Sequence, residues 1–130
     1  MKDLKDMIRE FVPHAQGVLG YNKPVRVVLR HDPENAKVLL GMTAHYSPAE
    51  NKIVIYTTNR QPKDCMRSLA HELVHHAQNC RGEFDNAGPA TEGYMQNNEH
   101  LRLMEKEAYL EGNCLLRDWE DGIKYGSIKK

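Results

Sequence analysis

Residues 71 to 76 read HELVHH, two histidines four apart with an acid directly after the first. On a helix, residues at that spacing share a face with β-carbons about 5 to 6 Å apart. His71 and His75 can therefore direct a ring nitrogen each to one metal ion. Glu72 lies one position round from His71, a place that suits a carboxylate taking the proton of a metal-bound water better than one binding the ion. Water alone, with a pKa of about 15.7, offers almost no hydroxide at neutral pH, and bound zinc lowers that value towards about 7. The same glutamate can then pass the proton to a leaving amine, as hydrolysis of an amide requires. His76 points away from His71 and reads as a partly exposed or supporting residue, not a ligand.

The chemistry requires a helix here. In NRQPKDCMRSLAHELVHHAQNCRG a proline stands near the start, apolar residues recur at Met66, Leu69, Ala70, Leu73, Val74 and Ala77, and a glycine lies beyond the end. That pattern predicts a helix over about 62 to 80. An amphipathic helix is expected from 3 to about 19, with Leu4, Met7, Ile8, Phe11 and Val12 as its apolar stripe and a break at Gly17 to Gly20. PVRVVLRH (24 to 31) reads as a short strand, and strands near 38 to 46 and 52 to 58 flank the turn-forming SPAEN as a hairpin. A long loop over 82 to 98 leads to a last helix over about 98 to 119. The expected architecture is a single α+β domain over 1 to 130, with a small three-stranded mixed sheet.

Composition narrows the functions. Lysine plus arginine and aspartate plus glutamate each number 18, without a long block of one sign, so neither nucleic acid nor an anionic membrane is expected as partner. No apolar run approaches the roughly 18 residues that span a bilayer, and the charged start MKDLKDMIREFVPH does not resemble a signal peptide. Cys65, Cys80 and Cys114 are odd in number and lack a CxxC pair, which fits reduced packing residues. A cytoplasmic protein is the expectation.

A catalytic zinc usually has three protein ligands. In the last helix the candidates for the third are Glu99, His100, Glu105, Glu107 and Glu111. Its apolar stripe is read as centred on Leu101, Met104, Ala108, Leu115 and Trp119, with Gly112 allowing another helix to come close. Glu107 and Glu111 share one flank of that stripe with His100. Glu105 lies on the other flank, where its ordinary reading is a solvated charge.

The strings HELVH (71 to 75) and EAYLE (107 to 111) resemble the gluzincin metallopeptidases, in which a glutamate helix follows the HExxH helix. The nearest likeness is to compact minigluzincin or ImmA/IrrE-like domains. That resemblance implies a zincin-like fold with His71, His75 and Glu107 as zinc ligands, Glu72 as general base and then acid, and Glu111 holding a ligand histidine. It also implies a cleft bordered by an edge strand, here GMTAHY (41 to 46), which would pair with an extended polypeptide substrate. An oxyanion donor is expected from Tyr94 in the long loop, with Tyr109 and His100 behind it. His45 and Tyr46 are expected to pack. The activity so implied is zinc-dependent hydrolysis of peptide bonds in extended or unfolded segments. The alternatives are another zinc hydrolase acting on a non-peptide acyl or amide substrate, and a binding or regulatory module that holds zinc without turnover.

Overall fold

The computed structural model describes residues 3–31, 43–58, 60–82 and 98–124. Its elements are α1 (Leu4–Leu19), β1 (Arg26–Arg30), β2 (Ala44–Ser47), β3 (Lys52–Tyr56), α2 (Pro62–Cys80) and α3 (Asn98–Lys124). The α+β class and the small mixed sheet stand as the sequence implies. The order is β1-β3-β2, with β3 parallel to β1 and antiparallel to β2. Part of the expected second strand, residues 38–42, lies outside the described residues, as does most of the 82–98 loop with Tyr94.

Local chemistry explains the element ends. Asp3 caps α1 by accepting from the Asp6 amide at 2.9 Å, and Gly20 closes it at a φ of 77°, where a β-carbon would be strained. The hairpin turns through Asn51, whose φ of 50° an asparagine tolerates. Pro62 opens α2 at a position whose amide has no helical partner to lose. Just ahead of it, Arg60 donates to the Thr43, Tyr56 and Asp64 carbonyls and to Ser68 Oγ, tying the open end of the hairpin to the first turns of α2. Helix α3 runs to residue 124, beyond the expected end near 119, because Ile123 continues its apolar face against the core.

The centre of the molecule is α2, whose Leu69, Ala70 and Leu73 are fully buried. Ile53 and Ile55 of β3 cover it on one side, while Phe11 and Ala15 of α1 and Leu115, Leu116 and Trp119 of α3 cover it on others. Phe11 and Trp119 meet edge to face at 5.2 Å.

His76 is wholly buried, not partly exposed as its sequence suggests. Its Nε2 lies 2.8 Å from the Lys23 carbonyl, which can only accept, so that nitrogen carries the proton. Its Nδ1 then accepts from the Tyr46 hydroxyl at 2.8 Å, and Tyr46 accepts from Asn79 Nδ2 at 2.9 Å. Burial lowers the His76 pKa and keeps the ring neutral. Tyr46, expected only to pack, therefore anchors β2 to α2 through polar bonds.

Gly112 of α3 faces the backbone of α2. A β-carbon there would stand 3.1 Å from both the Cα and the N of His71. Alanine gains roughly 1 kcal/mol over glycine in a helix, but overpacking against a fixed backbone costs about 1 to 3 kcal/mol. Gly112→Ala is therefore expected to lower the thermal midpoint by several degrees, and a midpoint unchanged or raised would show that the two helices separate at little cost.

Candidate metal centre

Helix α2 presents the motif along one face, as its spacing requires. The Nε2 atoms of His71 and His75 lie 3.2 Å apart. Two ring nitrogens held at about 2.0 to 2.1 Å by one tetrahedral ion would stand about 3.3 Å apart. One ligand atom each from His71, Glu72 and His75 can be chosen so that all lie within 4.8 Å of one another, a group that could hold a metal.

The structure brings Glu105 to these rings. Its Oε1 lies 2.6 Å from His75 Nε2 and its Oε2 lies 3.6 Å from His71 Nε2. Glu107, the third ligand expected by resemblance, instead places Oε1 2.8 Å from Gln78 Nε2 and 2.8 Å from Arg81 Nη2. Those donors hold its carboxyl below the usual carboxylate range, Arg81 first and Gln78 second. Among the described residues the geometry thus places Glu105, not Glu107, against the two rings, and sets Glu107 against Gln78 and Arg81. Glu105 faces the rings because Leu116 and Ile123 also belong to the apolar face of α3, and including them turns its centre towards Glu105. His100 lies in the first turn of α3, and its side chain is outside the described residues.

Gln78, which the sequence reading passed over, fixes the state of His75. The amide is fully buried, and its Nε2 donates to the Met104 carbonyl at 2.9 Å as well as to Glu107. Both partners only accept, so the amide oxygen must be the atom 2.8 Å from His75 Nδ1, and that nitrogen must donate. His75 Nε2 is left with its lone pair facing the Glu105 carboxylate. Two acceptors at that distance need a cation, either a proton or a metal ion. A neutral imidazole whose far nitrogen is held by an outer partner is the form in which histidine ligates metals. Glu111, expected to hold a ligand histidine, is exposed, and Gln78 occupies that role at His75. The only signal for it in the sequence is that position 78 follows His75 by three, on the same helix face.

His71 differs from His75. Its Nδ1 is buried with no hydrogen-bond partner among the described residues, and its ring lies 4.4 Å from that of Tyr109, which is 63% exposed. Burial first, then the nearby His75, lowers the His71 pKa. Among the described side chains of the expected oxyanion donors, Tyr109 lies beside the site. Glu72 is only 7% exposed. Desolvation pushes its carboxyl up to about 7, with His75 opposing and Glu105 adding to the rise.

Beside Glu72 and His71 opens a cavity of about 340 Å³, bounded by Thr43 and Ala44 at the start of β2, by α2 and by Ala108, Tyr109 and Asn113 of α3. With zinc as the probe ion in competition with a chromophoric chelator, Glu105→Gln should weaken binding at least ~100-fold, because it removes a charged ligand. Gln78→Leu, by freeing the His75 ring, should cost roughly 10- to 100-fold. Glu107→Gln should cost less than either, and a larger loss from it than from Glu105→Gln would restore Glu107 as the ligand.

No family model, curated protein or solved structure matches the chain, so the reading of this centre rests on its own geometry and chemistry.

Proposed function

We propose that the protein is a zinc-dependent metallopeptidase of the zincin type that hydrolyses peptide bonds in extended or unfolded polypeptide segments. The observation that carries this reading is the convergence of His71 Nε2, His75 Nε2 and the Glu105 carboxylate on one point, beside a buried carboxylate that faces an open cavity.

In this reading His71, His75 and Glu105 hold the ion. When bound, zinc supplies a Lewis acid that lowers the pKa of water and polarises a carbonyl. Glu72 takes a proton from the attacking water on its carboxylate and delivers it to the departing amide nitrogen. Its burial keeps competing solvent away. Gln78 keeps the His75 ring in the tautomer and orientation that ligation needs. β2 is bonded on one side to β3 and among the described residues has no strand on the other. That edge offers main-chain donors and acceptors to an extended chain, the recognition mode suited to a substrate without fixed fold. Tyr109 is the donor available to the tetrahedral oxyanion, since its ring borders both His71 and the cavity. No helix among the described residues is long and apolar enough to cross a membrane. The three cysteines are free, which fits a reducing compartment, and a cytoplasmic location belongs to this proposal.

Cleavage of an unfolded, casein-like protein by zinc-loaded enzyme tests the reading beside Glu72→Gln matched for bound zinc. The variant should lose activity about 1,000-fold, within the range that a general acid-base contributes. Equal rates would remove Glu72 from the chemistry, and two inert proteins each holding one zinc would exclude general proteolysis.

A further inference from the structure

The cavity beside Glu72 carries a positive charge that the chemistry above does not use. Arg67 lies four residues before His71, on the same face of α2, and lines the cavity with Thr43, Ser68, Tyr109 and Asn113. Among the described residues, and apart from the centre's own His71 and Glu72, it is the one lining residue with an ionisable group that is charged near neutral pH. It pairs with the Asp64 carboxylate at 3.4 Å, and the two side chains are 55% and 50% exposed. An exposed pair at that length is weak and open to exchange for a better acceptor.

A second arginine stands behind the same wall. The Arg60 guanidinium bonds to Thr43 O and Ser68 Oγ, at the border of the cavity, and to the Tyr56 and Asp64 carbonyls. All four acceptors are neutral, so they satisfy its hydrogens without cancelling its charge. Tyr109, Asn113, Ser68 and Thr43 add polar groups but no further charge.

We infer that this cavity is the subsite next to the scissile bond and that Arg67 makes it selective for a carboxylate, borne either by an acidic side chain or by the C-terminus of the substrate. The inference rests on the peptidase reading for the words scissile bond, but the carboxylate preference itself requires no turnover. Arginine presents paired donors that match a carboxylate, and lysine would supply charge without that match.

The test uses fluorescent unfolded peptides that are otherwise neutral and differ at one residue, Glu, Gln or Lys, with a further Gln pair ending in a free or an amidated C-terminus. Fluorescence anisotropy measures binding to metal-free protein at low salt, and cleavage is followed after zinc is added. The Glu peptide or the free-acid peptide should bind ~10-fold more tightly than its neutral counterpart, as a charge-assisted, half-exposed contact allows. Whichever pair differs identifies the source of the carboxylate. Arg67→Gln should erase the difference and Arg67→Glu should turn it towards the Lys peptide, with thermal midpoints checked because Arg67 is a surface residue. Equal binding of acidic and neutral peptides, or an acid preference that survives Arg67→Glu, overturns the inference. Cleavage without acid preference overturns this inference alone. An Arg67-dependent preference with no zinc-dependent cleavage overturns the peptidase reading and leaves the carboxylate site standing.

Discussion

The close approach of α3 to α2 at Gly112 is the constraint on which the metal centre depends. A ligand set divided between two helices is correct only if the helices are at the correct separation, because an error of 1 Å in their spacing exceeds the tolerance of a metal-ligand bond. With no side chain at position 112 and only a methyl at Ala108, α3 lies against the backbone of His71 itself. Glu105 stands three residues before Ala108 and seven before Gly112, so the same line of α3 that makes the contact small carries the carboxylate to the imidazoles. Trp119, Leu115 and Leu116 lie further along and lock the pair against α1.

A chain of polar contacts complements that packing. From Arg81 it runs through Glu107 to Gln78 and ends at His75 Nδ1, with the Met104 carbonyl as a second anchor for the amide. Every partner is satisfied, so a buried amide that would be costly alone becomes a device that sets one tautomer. The neighbouring His76 makes the contrast instructive. One residue further along α2 turns the side chain by about 100°, out of the centre and into the core, where Lys23, Tyr46 and Tyr21 surround it. Two adjacent histidines, each held by two partners, thus do unlike work: one can ligate, while the other joins β2 and the segment after α1 to the central helix.

Much of this was legible before any coordinates. The closeness of His71, Glu72 and His75 could be read from HELVH because all three lie on one element, where a fixed helical period converts sequence spacing into geometry. The hairpin and the helix limits follow from SPAEN, Pro62 and Gly20 for the same local reason. The third ligand was not legible in this way. Its identity depends on how α3 is rotated about its own axis, and the wheel drawn without Leu116 and Ile123 turned Glu107 inward in place of Glu105. The likeness of EAYLE to the gluzincin glutamate pair points to Glu107, but position in a short string carries no information about rotation. For Gln78 the i+3 spacing from His75 is a weak sign, since the atoms that orient its amide belong to Met104 and Glu107, 26 and 29 residues away.

The two carboxylates of the centre show how one site separates roles that the sequence writes with the same letter. Glu72 is 7% exposed, while the side chain of Glu105 is 54% exposed. Burial raises the cost of charge on Glu72 and pushes it up to about 7, which favours a group that gains and loses a proton during reaction. Glu105 keeps its contact with solvent and lies beside both imidazoles, where in the proposed reading it would serve as a ligand and not as the proton carrier. Environments that drive two like groups apart are the means by which an active site assigns acid-base work to one and electrostatic work to the other. Exchanging the two positions would place the ligand's charge in the more desolvated position and the proton carrier where bulk water competes with it, so the asymmetry of burial is itself part of the catalytic design proposed for this chain.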